Sequence, residues 1–278
     1  MKKFYFALMA LFCATALFTG CSDDDDDEKG NGQGSGNGSG VEILSKKIVK
    51  IISHNETESE KFITLFQYDA NNRLSKMTDI EEDGTETEVT DIIYEDNKIT
   101  ITTTSTENKS VIQLQDGKAV SFIEYREGER IDFVYNYSGK YLSNYTAKYF
   151  RERNSWREEG VANVVYTVKD ANLEEMSYVY TSHYDEDANE KVSNKFELGV
   201  LDNNTNLNLY SFILDDNTFL FDVVGDRFKK LPVKIISTDE GKEDITTYTY
   251  EVDKDGYITK IIEKMDNEDG YTFEITYE

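Results

Sequence analysis

Tyr271-Thr272-Phe273-Glu274-Ile275-Thr276-Tyr277-Glu278, the last eight residues of the chain, alternate without a break. Tyr271, Phe273, Ile275 and Tyr277 share one face of an extended strand, and Thr272, Glu274, Thr276 and Glu278 share the other. Successive strand side chains point to opposite faces, so this segment reads as a strand buried on one side only. The same period recurs upstream in Ile131, Phe133, Tyr135 and Tyr137 against Asp132, Val134 and Asn136, and in the Tyr- and Thr-rich stretch 246–252. Nineteen Tyr, fifteen Phe and many Thr suit a pleated surface, so the chain is predicted to be mainly β.

Between the alternating runs stand short turn signals: Asn71-Asn72, Asp96-Asn97, Asp116-Gly117, Ser138-Gly139 and Asp255-Gly256, each followed by a basic or aromatic residue. Asn, Asp and Gly tolerate the positive φ angles that tight hairpins require. The turns also expose a repeat. Asp69-Ala70-Asn71-Asn72-Arg73-Leu74-Ser75-Lys76-Met77 matches Asp253-Lys254-Asp255-Gly256-Tyr257-Ile258-Thr259-Lys260-Ile261 in residue class at most positions, and Asp96-Asn97-Lys98-Ile99-Thr100 is a shorter copy. Turns near 96, 116 and 138 follow one another at about the length of two strands and two turns, which implies one hairpin per repeat. The expected architecture is therefore an antiparallel meander of repeated hairpins, curled into a partly closed, barrel-like sheet.

The rhythm breaks between Asp202 and Pro232. Leu209, Tyr210, Phe212, Ile213 and Leu214, then Phe219, Leu220, Val223 and Val224, cluster at helical spacing after the polar residues 203–206. One or two short helices are predicted near 205–225, with Gly225 ending the second. Laid over a mouth or edge of the curled sheet, this apolar block would protect an edge that otherwise invites aggregation.

The N-terminus is an address. Lys2 and Lys3 precede an apolar run from Phe4 to Phe18, too short to span a bilayer, and then Thr19, Gly20 and Cys21, the order of a secretory signal. Phe18-Thr19-Gly20-Cys21 resembles the lipobox of bacterial lipoproteins, which implies cleavage after residue 20 and lipidation of Cys21. The other reading is an ordinary signal peptide with an incidental cysteine. Cys13 would leave with the signal, so the mature chain could form no internal disulfide and several acyl chains on Cys21 would anchor it to a membrane. Ser22, the acidic run 23–28 and the Gly, Asn and Ser stretch to residue 40 read as a tether reaching about 15–20 Å. An acid run directly after the acylated cysteine resembles the export signal of Bacteroidetes surface lipoproteins. The domain plan is thus 1–20 signal, 21–40 tether and 41–278 a single β domain.

Charge narrows the partners. Thirty Lys and Arg face 55 Asp and Glu, a net −25, and the first forty residues hold only three of the cations and six of the acids. A field of that sign repels phosphate backbones and anionic lipid surfaces, which speaks against nucleic-acid partners and against attachment through a basic patch.

Gly225-Asp226-Arg227-Phe228-Lys229-Lys230-Leu231-Pro232, the turn-strand motif and the closing unit 250–260 together resemble the YD-repeat-like lipoproteins of Bacteroidetes, a family of unknown function described as porin-like in fold. The resemblance spans roughly residues 45–278 and rests on turn and strand motifs, so it implies architecture and no catalytic residue. Whether such a sheet would itself insert in a membrane is answered in the negative at this level. Its strands read as about six to eight residues, shorter than the roughly nine to eleven of a spanning strand, and a lipid on Cys21 would be redundant for an integral barrel.

Chemistry-bearing motifs are sparse. His54 and His183 are the two histidines, neither in a metal-ligand pair; no Gly-x-Ser-x-Gly elbow or phosphate loop occurs. Asp185-Glu186-Asp187-Ala188-Asn189 starts like a calcium loop, but Glu190 replaces the required Gly and Phe196 stands where the closing Glu belongs; Asp202, Asn204 and Asn206 repeat the partial pattern. Adjacent Glu158 and Glu159 would face opposite sides of a strand, although acid pairs keep a carboxylate-based, glycan-active enzyme among the alternatives. Trp156, the sole Trp, lies in a charged stretch where an exposed indole could stack on a sugar or anchor a partner, or else fold back over the sheet. No cofactor, metal or catalytic residue is expected. The sequence points to an outer-membrane or cell-surface lipoprotein with a noncatalytic β domain that binds a glycan, peptide or envelope protein, with a structural envelope subunit as the alternative.

Overall fold

The structure is a computed structural model that describes residues 46–55, 61–105, 107–126, 128–152, 155–185, 188–214, 223–266 and 270–278. The signal, Cys21 and the tether lie outside these residues.

Sixteen strands follow in chain order. They are β1 (Ile48–Asn55), β2 (Lys61–Tyr68), β3 (Leu74–Glu81), β4 (Glu86–Glu95), β5 (Lys98–Thr103), β6 (Ser110–Gln115), β7 (Lys118–Arg126) and β8 (Glu129–Ser138). The second half comprises β9 (Tyr141–Glu152), β10 (Trp156–Lys169), β11 (Asn172–Ser182), β12 (Glu190–Asp202), β13 (Lys230–Asp239), β14 (Lys242–Val252), β15 (Ile258–Met265) and β16 (Tyr271–Tyr277). Each pairs antiparallel with its neighbours in sequence, as a hairpin meander requires. The sheet differs from the expectation in closing fully: β16, the strand formed by the C-terminal alternation, pairs with β1 from Ile48↔Tyr277 to Asn55↔Tyr271. Closure gives both end strands a partner and removes the edges that a partly closed sheet would leave.

The hairpin repeat is visible atom by atom. In the 69–73 loop, Asp69 Oδ1 accepts the backbone N–H groups of Asn71 (2.8 Å) and Arg73 (2.9 Å), with Asn72 at φ 62°. In the 253–257 loop, Asp253 Oδ1 accepts those of Asp255 (2.9 Å) and Tyr257 (3.0 Å), with Gly256 at φ 88°. A bulge follows each loop, and the hydroxyls of Ser75 and Thr259, matched in the repeat, donate to the carbonyls of Gln67 (3.3 Å) and Glu251 (3.4 Å). A tyrosine at the end of an even strand then donates its hydroxyl to a carbonyl near the start of the strand before it: Tyr68 to Ile48, Tyr94 to Leu74, Tyr137 to Ala119, Tyr250 to Pro232 and Tyr277 to Ile258. These bonds lash successive hairpins at one mouth, here the near mouth, which also receives the chain at Lys46. Burial raises the phenols of Tyr137, Tyr250 and Tyr277 above the ordinary tyrosine range, so they stay protonated donors.

The apolar face of the meander turns inward. Ile99, Ile101, Phe122, Phe133, Tyr145 and Val164 belong to one buried cluster with residues of the 202–232 block. Rings touch in series from Phe122–Phe133 (5.5 Å) through Phe133–Tyr145 (5.7 Å), Tyr145–Tyr166 (6.2 Å) and Tyr166–Phe228 (6.3 Å) to Tyr210–Phe228 (5.2 Å). A water-filled barrel of this strand number lines its lumen with polar groups; this one packs a core there.

The block between β12 and β13 covers the near mouth. Among the described residues it contains one helix, α1 (Tyr210–Ile213); of the second predicted helix, Phe219 and Leu220 fall outside the described residues, and Val223 and Val224 form a turn before Gly225. The carbonyl of Val223 accepts the Ala119 N–H (2.8 Å), Asp226 N–H donates to the Lys140 carbonyl (2.8 Å) and Lys229 N–H to the Ala171 carbonyl (2.7 Å). Asn206 receives the Ile48 N–H and donates to Tyr68, while buried Arg227 donates to the carbonyls of Thr205 and Asn206. Gly225, at φ 90°, lies so close to the β9 backbone that a Cβ there would sit 2.8 Å from the Leu142 nitrogen.

The outer wall is charged. It carries ion pairs such as Lys76–Asp91, Arg130–Asp132, Lys148–Glu158 and Lys234–Glu197, with scattered apolar residues such as Ile93 and Val134 between them. A membrane barrel needs the reverse, an apolar band outside. The strand-length argument against insertion does not hold, because strands run from six residues in β5 to fourteen in β10. The bulge at Glu159 shifts the alternation inside β10 and makes a long strand read as a shorter one.

Candidate functional site

The far mouth, opposite the plug, carries a cleft of about 360 Å³ lined by Arg157, Glu159, Tyr180, Ser182, Tyr184, Asp185 and Ala188. It forms where β10 begins and β11 ends, and the β11–β12 connection folds back over them. Ser182 organises that connection: its Oγ accepts the N–H groups of Tyr184 (3.3 Å) and Asp185 (3.1 Å), and its own N–H donates to Asn189 Oδ1 (2.8 Å). The His183 N–H donates to the Glu159 carbonyl (2.9 Å), tying the loop to the β10 bulge.

The bulge matters for the chemistry. Glu159 lines the cleft and pairs with Arg151 (3.6 Å), whereas Glu158 meets Lys148 (3.3 Å) and His183 (3.8 Å). The two acids thus take separate partners, as expected of neighbours on a strand. The Arg157 guanidinium stacks 3.8 Å above the Tyr184 ring, which is 57% exposed. Tyr180 meets Tyr149 edge-on at 5.5 Å; burial first, and the Glu159 charge second, raise its phenol above the ordinary value. Gly160 is required here, because a Cβ would sit 2.3 Å from the Tyr180 hydroxyl oxygen. The cleft combines an exposed ring with cationic, anionic and hydroxyl groups, the means by which a protein holds a polar ligand.

Trp156 lies outside this cleft. It sits half-buried on the outer wall, edge-on to Tyr125 (5.9 Å) and beside Arg130 (5.9 Å), whose guanidinium covers Phe150 (4.3 Å). The indole is folded onto the sheet, and its exposed part belongs to a side surface. Cys21 lies outside the described residues. Asp202 pairs with Lys230 (2.8 Å) and Asn206 is engaged with β1 and β2, so the Asp202-Asn204-Asn206 pattern is used by the plug. Of the 185–189 loop, Asp185 lines the cleft, while Glu186 and Asp187 fall outside the described residues. Among the described residues no three His, Cys, Asp or Glu side chains gather in a metal-binding group. Arg157, Tyr180 and Tyr184 were not singled out by sequence, and the one available signal was the Tyr-x-Tyr-x-x-x-Tyr spacing of 178–184.

Fold and site together define a closed antiparallel barrel with a charged outer wall, an apolar core, a plugged mouth and a polar cleft on the opposite rim. Solved structures that share the barrel fold include a porin-like protein from Bacteroides vulgatus, at TM-score 0.65 and 17% identity over 84% of this chain and 99% of that one, and a porin-like protein from Bacteroides uniformis, at TM-score 0.58 and 15% identity over 85% and 99%. No family model matches the chain, and no curated protein matches it.

Proposed function

We propose that this chain is an outer-membrane, lipid-anchored surface protein whose noncatalytic barrel presents the far-rim cleft to a glycan. One observation carries the reading: the chain enters the barrel at the plugged mouth, at Lys46, and the cleft opens at the other end. Anchored through Cys21 and the 21–40 tether, the barrel would turn its plug toward the membrane and its cleft away from it. The porin-like fold of the Bacteroides structures supports the outer-membrane setting, and the charged outer wall favours tethering over insertion.

A glycan suits the cleft because Tyr184 offers a ring face and Arg157, Glu159, Ser182 and Asp185 offer hydrogen-bonding groups at its edge. The test is a glycan array probed with the full chain and with Tyr184→Ala. Binding that is lost in the variant, with an unchanged circular dichroism spectrum, is expected. Binding to no glycan by a folded protein would overturn the ligand class and leave a peptide or envelope protein as the cleft's partner. Metabolic labelling with a fatty acid tests the anchor: label is expected in the natural chain and none in Cys21→Ala.

A further inference from the structure

Carboxylates on the inner wall, where charge is expensive, include Glu124, Asp79 and Glu88. Glu124, 5% exposed, is neutralised by Arg126, which donates Nε (3.1 Å) and Nη2 (3.2 Å) to its two oxygens. The other two lie side by side. The β3–β4 register places Asp79 directly opposite Glu88, and the β2–β3 register places Thr64 opposite Asp79. Thr64 donates its hydroxyl to Asp79 Oδ1 (2.7 Å). Glu88 is 6% exposed, and neither carboxylate oxygen has a hydrogen-bond partner; two residues along the same face, Thr90 is 1% exposed and its Oγ1 is also without one. Among the described residues no Lys or Arg pairs with Asp79 or Glu88.

A buried carboxyl with both oxygens unmatched must either hold a proton or, where it is charged, have something positive against it. Opposite residues of an antiparallel pair hold their Cβ atoms about 4.5–5.5 Å apart, which lets two carboxylates converge on one ion at about 2.3–2.6 Å from each oxygen. The donors are all oxygen, which selects hard cations over zinc or copper. Two negative charges match one divalent ion, and a chain of net charge −25 concentrates cations around itself.

We propose that the inner wall of β2, β3 and β4 is a binding site for one calcium or magnesium ion, held by Asp79 and Glu88, with the hydroxyls of Thr64 and Thr90 and water completing its shell. The ion would do for this pair what Arg126 does for Glu124. The site lies in the wall and is separate from the rim cleft, so it stands whether or not that cleft takes a glycan.

The experiment uses the full chain stripped with EDTA and titrated with CaCl₂ and, separately, MgCl₂, followed by calorimetry and thermal melting. Saturation at one ion per chain and a melting point raised by several degrees are expected with at least one of the two. Glu88→Gln keeps the shape and removes a buried charge, so it is expected to fold, to melt in EDTA no lower than the natural chain, and to bind about tenfold or more weakly. Thr90→Val, which leaves both acids in place, is expected to weaken binding less. Absence of heat and of any melting shift with either salt up to about 10 mM would overturn the proposal. So would a response that Glu88→Gln leaves unchanged, since the ions would then act on the acidic exterior.

Discussion

Removing the charge of Asp79 should stabilise the barrel, and the gain should depend on pH. Burial, with the Glu88 charge adding to it and the Thr64 hydrogen bond opposing it, raises the Asp79 carboxyl from 3.8 to about 6. The folded protein therefore binds this proton more tightly than the unfolded chain does. Between about pH 4 and 6 the folded state holds more protons, so stability falls as pH rises through that window, and the full cost is present above it. The gap corresponds to about 3 kcal/mol at pH 7.5. Asp79→Asn keeps an oxygen to accept the Thr64 hydroxyl and carries no charge. In urea titrations followed by circular dichroism in EDTA, the variant should exceed the natural chain by about 2–3 kcal/mol at pH 7.5, with the difference shrinking toward zero near pH 4. Saturating calcium should erase most of the gain, because the ion neutralises the pair that the variant breaks. A variant less stable than the natural chain at pH 7.5, or a gain equal at both pH values, would refute the account of Asp79 as a strained, buried acid.

Other consequences follow from contacts already described. Gly225→Ala forces a Cβ against the β9 backbone at a positive φ, and should lower stability by about 2–4 kcal/mol with exposure of the near-mouth core, seen as increased binding of an apolar dye. Tyr137→Phe removes one inter-hairpin hydrogen bond to the Ala119 carbonyl and should cost about 1 kcal/mol by the same titration. Gly160→Val would drive a side chain into Tyr180 and Thr181; ligand binding at the rim should be abolished along with a loss of stability, whereas Tyr184→Ala should remove binding and leave the melting point within about 1–2 °C.

Local structure was legible because it is locally encoded. The side chain of Asp69 and that of Asp253 build their own loops, and Ser75 and Thr259 mark their own bulges, so aligning the two segments already matched geometry to geometry. Closure was not legible, since nothing in Ile48–Asn55 or Tyr271–Tyr277 names the other as partner. Strand length was misread for a physical reason: the bulge at Glu159, the fourth residue of β10, shifts the alternation, so the fourteen-residue strand does not read as one run. The Asp79–Glu88 pair depends on register across a hairpin, where a slip of one residue would send either acid to the water side. The rim cleft draws on two strands and a returning loop, and its residues share no spacing that a motif could capture.

The pairing of β1 with β16 sets when this molecule can exist. An open array of hairpins gains stability as each unit is added and tolerates the loss of its last one. In a ring, β16, made after all the other strands, completes the hydrogen bonding of β1, so the structure is all or nothing and its folding is slowed by contacts spanning almost the whole sheet. Every shorter intermediate presents two bare edges and an uncovered apolar face. Deleting only residues 271–278 should leave a product that aggregates instead of a smaller barrel.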